Sequence, residues 1–145
     1  MRPDDVNIHS AVSNSESEVI VYHQKKISQL TTIKKDVAQQ RMKGSIKEKK
    51  MISKKLTTIL NNSRFCNRKI DFLNIDLEGA DMSALQSLDF VIYRPKIICV
   101  EITDKIFENS DIFKFLIKLN YQKKWSSITS INHIFVDELF LKQLN

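Results

Sequence analysis

The second half of the chain alternates between short apolar runs and helical patterns. Residues 70–77 and 96–102 are two such runs, with apolar side chains at both odd and even positions, as expected for strands covered on both faces of a sheet. Helical spacing follows each run, and two further strand patterns and a last helix close the chain: residues 82–88, 111–117, 121–125, 133–136 and 138–144. Strands that alternate with helices predict an α/β fold.

The first half of the chain is less regular. Strand-forming residues at Val6–His9 and Glu18–Tyr22 flank a turn cluster at Asn14–Ser17, which predicts a β-hairpin. Between Ile27 and Gln40, apolar residues three and four positions apart predict a helix, although two adjacent threonines weaken its propensity. A hairpin followed by a short, loosely held helix is therefore expected.

A polar, lysine-rich connection follows this helix. It begins at Gly44, and within it Met51–Ile52 could form a short strand before a short helix at Leu56–Leu60. The chain has a net charge of +6, and its basic residues are concentrated at Lys43, Lys47, Lys49, Lys50, Lys54 and Lys55. Such a cluster attracts phosphates, but no aromatic side chains interleave it as a base-stacking platform requires. A solvated face is the simpler interpretation, and a basic nucleic-acid-binding module is the alternative.

Composition narrows the class of protein. The 145 residues are 42% apolar and 8% aromatic, which is the profile of one soluble domain. The longest apolar stretches are far shorter than the roughly 20 residues of a membrane span, and no apolar secretory run opens the sequence. A cytoplasmic protein without a membrane segment is therefore expected. Two cysteines, Cys66 and Cys99, are too few for a disulfide framework.

Carboxylates follow the two buried-type strands. Asp76 and Glu78 precede Gly79 after the first strand, and Glu101 closes the second. Ligands of open α/β sheets bind at this edge, and residues two apart in a strand share a face. The three acids are therefore expected to line one crevice, provided that the strand continues to Glu78. There they would orient a hydroxyl, act as a general base or help to hold a cation. Alternatively, they cap the helices that follow.

The same residues carry a family resemblance. The segments Ile70–Asp81 and Arg94–Ile102, with Leu85 between them, resemble the motif IDxEGxE…L…RPxxIxxEI of the FkbM methyltransferases. Asp81 stands where that family usually has glutamate. Residues 2–8, 11–13, 56–60, 120–121 and 134–136 resemble further elements of the family. The likeness covers nearly the whole chain.

This resemblance implies a partial class I methyltransferase (Rossmann-like) sheet with an N-terminal β-hairpin. It also implies transfer of a methyl group from S-adenosylmethionine to the hydroxyl of a sugar or another small molecule. On this basis Asp76 is expected to act on the acceptor with Glu78 assisting, while Glu101 binds the substrate. The strand end that contains Ala11 and Ser13 would lie near the adenine side of the donor. No metal ligand is assigned.

The donor side of that family is not evident in this sequence. Its glycine-rich turn has no counterpart, because the only glycines are Gly44 and Gly79, and by resemblance the sequence starts after the second strand. One incomplete domain is therefore expected, with a hairpin at 1–24, a helical and lysine-rich connection at 25–62 and an α/β core at 63–145. The N-terminal strands should leave the main sheet or repack, and the strand at 70–77 should become an exposed edge unless another segment covers it.

Two accounts of such a chain remain open. In the first, it is a truncated methyltransferase that is inactive alone and binds S-adenosylmethionine weakly or not at all. In the second, it is one subunit of a split enzyme, and a partner polypeptide supplies the donor half.

Overall fold

The strands form two separate sheets in the structure, a computed structural model that describes residues 4–24, 30–129 and 131–144. The first sheet has the order β1-β3-β2, with strands β1 (Ala11–Val12), β2 (Glu18–His23) and β3 (Lys47–Lys54). The second has the order β4-β5-β7-β6, with strands β4 (Phe72–Ile75), β5 (Ile97–Glu101), β6 (Tyr121–Ser126) and β7 (Asn132–Asp137). This mixed arrangement confirms the predicted α/β class.

Helices connect and flank these strands. Within the described ranges they are α1 (Lys35–Arg41), α2 (Leu56–Asn61), α3 (Asp81–Gln86), α4 (Asp111–Lys118) and α5 (Glu138–Leu144), with a 3-10 helix at Phe107–Asn109. Elements from α2 onward lie where the sequence predicts them. Ser110 shows why α4 begins where it does, because its buried side-chain oxygen accepts the N–H of Ile112 at 3.2 Å and caps the helix. None of these helices is long and apolar enough to cross a bilayer.

The predicted N-terminal hairpin is wrong in its pairing. β1 and β2 do not pair with each other, because β1 runs parallel to β3 and β2 runs antiparallel to it. The predicted strand at Val6–His9 is not a strand. Ser53 of β3 stabilises this arrangement, since its fully buried hydroxyl donates to the carbonyl oxygen of Ser15 at 2.7 Å in the turn before β2. The lysine-rich connection therefore contains the central strand of the small sheet.

The predicted helix between Ile27 and Gln40 is shorter than expected. Its residues 27–29 lie outside the described part of the chain, and residues 30–34 are not helical. Thr32 pairs with Tyr22 through two backbone hydrogen bonds of 2.8 and 3.2 Å, and its hydroxyl donates to the carbonyl oxygen of Glu78 at 2.8 Å. A threonine held in this way competes with helical hydrogen bonding, so α1 begins only at Lys35.

The main core lies on one face of the four-stranded sheet. Its buried residues include Ile98, Val100 and Phe135 from the strands, and Leu85 and Leu116 from α3 and α4. The other face is only partly covered, so the expectation that both faces are covered is met incompletely. Strand register places Phe72, Cys99, Ile134 and Trp125 there, and Phe72 and Trp125 are 55% and 50% exposed.

The small sheet contacts α3, and no strand pairing joins it to the large sheet among the described residues. The backbone N–H of Asn14 donates to the hydroxyl of Ser83 at 3.0 Å, and its side-chain amide donates to Gln86 at 3.1 Å. Val12 contacts the main core. Among the described residues β4 pairs only with β5. Both the separation of the N-terminal strands and the exposed edge at β4 are therefore confirmed.

An arginine joins the start of β5 to the end of β7. The guanidinium of Arg94 donates to both carboxylate oxygens of Asp137 at 3.0 and 2.7 Å, and to the carbonyl oxygen of Leu119 at 2.6 Å. It also lies over the ring of Tyr121 at 5.0 Å. The Arg94–Pro95 pair of the motif therefore has a structural role, because Arg94 links β5 to β7 at the end of the sheet opposite the acidic residues.

Candidate functional site

The turn after β4 is organised by Asp81. Its carboxylate oxygens accept the backbone N–H groups of Leu77 and Gly79, each at 3.2 Å, and the residue is only 4% exposed. Glu78 and Gly79 have positive φ angles of 49° and 89°, a region that favours glycine. In the sequence, Asp81 was recognisable as part of the family motif, but no role was predicted for it. Its position two residues after a turn glycine was the available signal.

Because of this turn, Asp76 and Glu78 do not share a strand face. The extended conformation ends at Ile75, so the condition under which Asp76 and Glu78 would converge is not met. Glu78 instead forms an ion pair with Arg41 of α1, and Asp76 is exposed to solvent. Among the described residues neither acid accepts a backbone N–H of α3, whose N-cap residue Ala80 has no side-chain cap, and the N–H groups that Asp81 accepts belong to the turn before that helix.

A cleft of about 280 Å³ opens beside this turn. It lies between α1, the start of α3 and the loop after β5, and its charged lining residues are Arg41, Asp81, Glu101 and Asp104. Glu101 is half-buried at the end of β5. Of the three acids expected to line one crevice, Glu101 lines the cleft, whereas Asp76 and Glu78 act on it only through their charges.

The environment of the cleft favours protonation of Glu101 and Asp81. Burial is the main cause of the raised pKa of Glu101, and the negative charges of Asp76, Asp81 and Glu78 raise it further while Arg41 lowers it. Burial likewise raises the pKa of Asp81, against the opposing effect of its backbone hydrogen bonds. Within the described residues, the Glu101 carboxylate accepts no hydrogen bond, so both of its oxygens are available to a ligand.

The two residues expected near the donor lie in different places. Ala11 lines an apolar cavity of about 170 Å³ with Val21, Met51 and Leu77. Ser13 borders a separate, polar depression of about 360 Å³, and its hydroxyl lies 3.3 Å from that of Ser83. The structure therefore does not bring Ala11 and Ser13 together around one ligand.

These residues do not fit S-adenosylmethionine well. Ligand sites usually have volumes of roughly 300 Å³ or more. The acidic cleft, at about 280 Å³, is close to this limit, whereas the apolar cavity beside Ala11, at about 170 Å³, is too small for a nucleoside with an amino-acid tail. A donor site of this class also needs a glycine-rich turn that lets the ligand approach the backbone. Gly44 lies in the connection before β3, and Gly79 is held by Asp81.

A serine and a histidine lie close together on the large sheet. The hydroxyl of Ser126 lies 2.9 Å from Nδ1 of His133, but these residues are opposite each other on β6 and β7 and form an ordinary cross-strand contact. In the part of the chain that the structure describes, no three histidine, cysteine, aspartate or glutamate side chains converge as metal ligands would. The acidic cleft is the candidate site.

Two neighbouring parallel strands that end in acids at one edge define a partial Rossmann-like α/β protein. A sequence model of the methyltransferase FkbM domain matches residues 2–123, which is most of the chain. The chain therefore belongs to the FkbM methyltransferase family, and the resemblance noted in its sequence is confirmed. No curated protein and no solved structure matches it.

Proposed function

We propose that the acidic cleft is the acceptor site of a methyltransferase that acts on a hydroxyl group of a sugar or another small molecule. The observation that supports it is the state of Glu101, a half-buried carboxylate with a raised pKa and no hydrogen-bond partner in the described chain. A carboxylate whose pKa is raised toward neutrality is a stronger base while it remains ionised. Glu101 is thus suited to accept the proton of an acceptor hydroxyl.

The other acids have supporting roles in this proposal. Asp76, the first choice from the sequence for acting on the acceptor, contributes a negative charge that helps to keep the pKa of Glu101 raised. Glu78, expected to assist it, pairs with Arg41 and so holds the wall of the cleft in place. Asp81 fixes the turn between them. Glu101 is the residue that would contact the substrate.

The methyl donor suggested by the family is S-adenosylmethionine. We propose that this donor is bound chiefly by a glycine-rich segment from outside these 145 residues, because no described cavity joins Ala11 and Ser13 and no glycine-rich turn occurs in the sequence. The chain alone would then have little or no activity, and a split enzyme completed by a partner polypeptide is the arrangement that can be tested directly.

The acceptor half of the proposal can be tested without the donor. Saturation-transfer NMR on the 145-residue protein, with a panel of monosaccharides and polyketide alcohols, should identify a ligand, and nitrogen-15 correlation spectra should show that this ligand perturbs the amides around the cleft. Glu101→Gln should weaken binding of that ligand about tenfold, a typical loss for a hydrogen bond to a charged group. The matched control is Glu108→Gln, an exposed acid outside the cleft lining. Binding equal in both variants, or no binding at all, would contradict the proposed acceptor site.

The donor half is tested separately by calorimetry with S-adenosylmethionine. The isolated chain should show no tight binding, and a mixture with a polypeptide that carries the glycine-rich segment should bind the donor. Tight, stoichiometric binding to the isolated chain would overturn this part and leave the acceptor site unaffected.

A further inference from the structure

Two turns at one edge of the large sheet carry exposed apolar side chains. The turn before β4 contains Phe65, and the turn before β5 contains Val91 and Ile92. These side chains are 42%, 94% and 48% exposed. Because β4 and β5 are parallel neighbours, the two turns lie at the same edge of the sheet. We call residues 63–71 and 89–96 the basal edge, and these three side chains its apolar tips.

Hydrogen bonds fix the two turns of the basal edge. The hydroxyl of Tyr93, a fully buried residue, donates to Oδ1 of Asn61 at 2.7 Å and accepts the backbone N–H of Asn67 at 3.1 Å. In the second turn, one carboxylate oxygen of Asp89 accepts two backbone N–H groups at 2.8 and 3.3 Å. The apolar tips are therefore held in solvent by an ordered backbone.

The basal edge has an excess of positive charge. It contains five basic and two acidic residues. Both acids are already bound, because Asp71 accepts the ammonium group of Lys96 at 2.6 Å and Asp89 accepts the backbone of its own turn. The exposed basic residues of this edge that form no ion pair within the described chain are Arg64, Arg68 and Lys69. Their positive charges are therefore available to an anionic partner.

The opposite edge of the same sheet is acidic. Asp76 follows β4 there, and Glu101 ends β5 beside the candidate cleft. An anionic surface attracts the basic edge of such a molecule and repels the acidic one, so it orients the protein with the basal edge first. The cleft then faces away from that surface and stays open to solvent.

We propose that the basal edge docks onto an anionic lipid bilayer, with its apolar tips inserted among the lipid headgroups. Peripheral proteins bind such bilayers through apolar side chains that enter the interface and basic side chains that contact anionic lipids. Two of the three tips are aliphatic, which suits lipid better than nucleic acid, because bases stack on aromatic rings. The attachment is peripheral, since none of the described helices could cross the bilayer. It is independent of what the cleft binds.

Vesicle co-sedimentation of the full chain tests the charge part of the proposal. Vesicles of phosphatidylcholine with about 30% phosphatidylserine should bind the protein, and pure phosphatidylcholine vesicles should bind it much less. Arg68→Gln with Lys69→Gln should weaken binding about 25-fold, because each basic residue near an anionic surface contributes roughly a fivefold factor.

The matched control removes the same charge from another surface. Lys47→Gln with Lys49→Gln alters two exposed residues of β3 and should change vesicle binding little. An equal loss in the two double variants would mean that net charge alone attracts the protein, and it would overturn the assignment of the basal edge.

A second pair of variants tests insertion of the apolar tips. Val91→Asp should weaken vesicle binding by more than about tenfold, because it removes an inserted apolar group and adds a charge that the lipids repel. Ile128→Asp introduces the same charge at a fully exposed residue between β6 and β7, at the opposite edge of the sheet, and should have little effect. Equal losses in these two variants would contradict insertion at the basal edge.

A fluorescent label locates the docking edge. Cys66 is exposed in the turn before β4, and a nitrobenzoxadiazole group attached to it in a Cys99→Ser background should brighten and shift to the blue when anionic vesicles are added. The same group attached through Ile128→Cys, in a background without Cys66 and Cys99, should not respond. Circular dichroism confirms that each variant is folded.

Two results would overturn the proposal. A protein that binds neither kind of vesicle would leave the apolar tips to a soluble protein partner. Vesicle binding in which the label at Cys66 stays in water would show that another surface contacts the lipid.

Discussion

At the residue scale, the charge state of Glu101 depends on its neighbours. Asp76→Asn removes a negative charge that raises the pKa of Glu101, so that pKa should fall. Arg41→Met removes the positive charge that lowers it, so the pKa should rise. Carbon-13 NMR titration of the glutamate carboxyl groups measures both changes.

The control for this titration is Asp104→Asn. Asp104 lines the same cleft but is not among the charges that set the pKa of Glu101, so its replacement should leave that pKa nearly unchanged. Equal effects of Asp76→Asn and Asp104→Asn would mean that the cleft has only a diffuse negative field and that Asp76 has no particular role.

Asp81 makes a pH-dependent contribution to stability. Burial raises its pKa in the folded protein above the ordinary value of 3.8, so the folded state binds more protons than the unfolded state in that range. Its contribution to the free energy of unfolding is therefore complete below pH 3.8 and is lost as the pH rises through the folded pKa.

Asp81→Asn should remove this dependence. Urea denaturation of the two proteins across the acidic range should show a difference in free energy of unfolding that changes with pH, and a constant difference above the folded pKa. The variant keeps one carbonyl acceptor for the turn, so a loss of about 1–2 kcal/mol from the second hydrogen bond is expected at neutral pH. A difference independent of pH would show that Asp81 titrates alike in both states.

At the scale of elements, the turn between β4 and α3 requires glycine. Gly79 has a φ of 89°, and a methyl group there would lie 3.1 Å from Cγ2 of Val37 on α1. Gly79→Ala should therefore destabilise the protein by about 1–2 kcal/mol from backbone strain, with a further loss where α1 is displaced. Thermal denaturation followed by circular dichroism measures the effect.

Gly44→Ala is the matched control for this turn. Gly44 has a similar φ of 92°, but an added methyl group would meet only the flexible end of Gln24 at 4.0 Å. It should show the backbone strain alone. A loss as large as that of Gly79→Ala would mean that the contact between Val37 and the turn contributes nothing.

The elements that the sequence predicted best are those whose apolar residues reach the main core. The strands at Phe72–Ile75 and Ile97–Glu101 are bounded by turns and rich in apolar residues, so they could be recognised locally. Strand β3 was recognised only at Met51–Ile52, because six of its eight residues are exposed and only Ser53 is buried. Its strand conformation depends on pairing with β2 and β1 on either side, which no local pattern encodes.

The residues of the candidate site also differ in how well the sequence predicts them. Glu101 and Gly79 were recognisable because they follow buried strands at the ligand-binding edge. Arg41 was not, because it is 37 residues from Glu78 along the chain and reaches the cleft only through the packing of α1 against the turn. The conformation at Glu78 was also unpredictable from strand periodicity, because Asp81 and Thr32 determine it through hydrogen bonds.

At the scale of the whole molecule, the two sheets differ in the number of buried residues that form their cores. The core of the large sheet joins nine buried residues from four strands and two helices or their flanks, whereas the small sheet has a core of Tyr22, Ala38 and Met42. Local opening is easiest where few apolar contacts are lost. The small sheet should therefore open without unfolding of the large one.

Native-state hydrogen exchange can test this difference with two central strands. β3 and β5 each have a hydrogen-bonded neighbour on both sides, so strand position is matched and core support is the main difference. Amides of β5 should be protected about ten- to hundredfold more than those of β3, corresponding to roughly 1.4–2.8 kcal/mol of opening free energy. Equal protection would show that the contacts of Asn14 and Val12 with α3 and the main core join both sheets into one cooperative unit. In that case the cleft between α1 and β5 would be as rigid as the core itself.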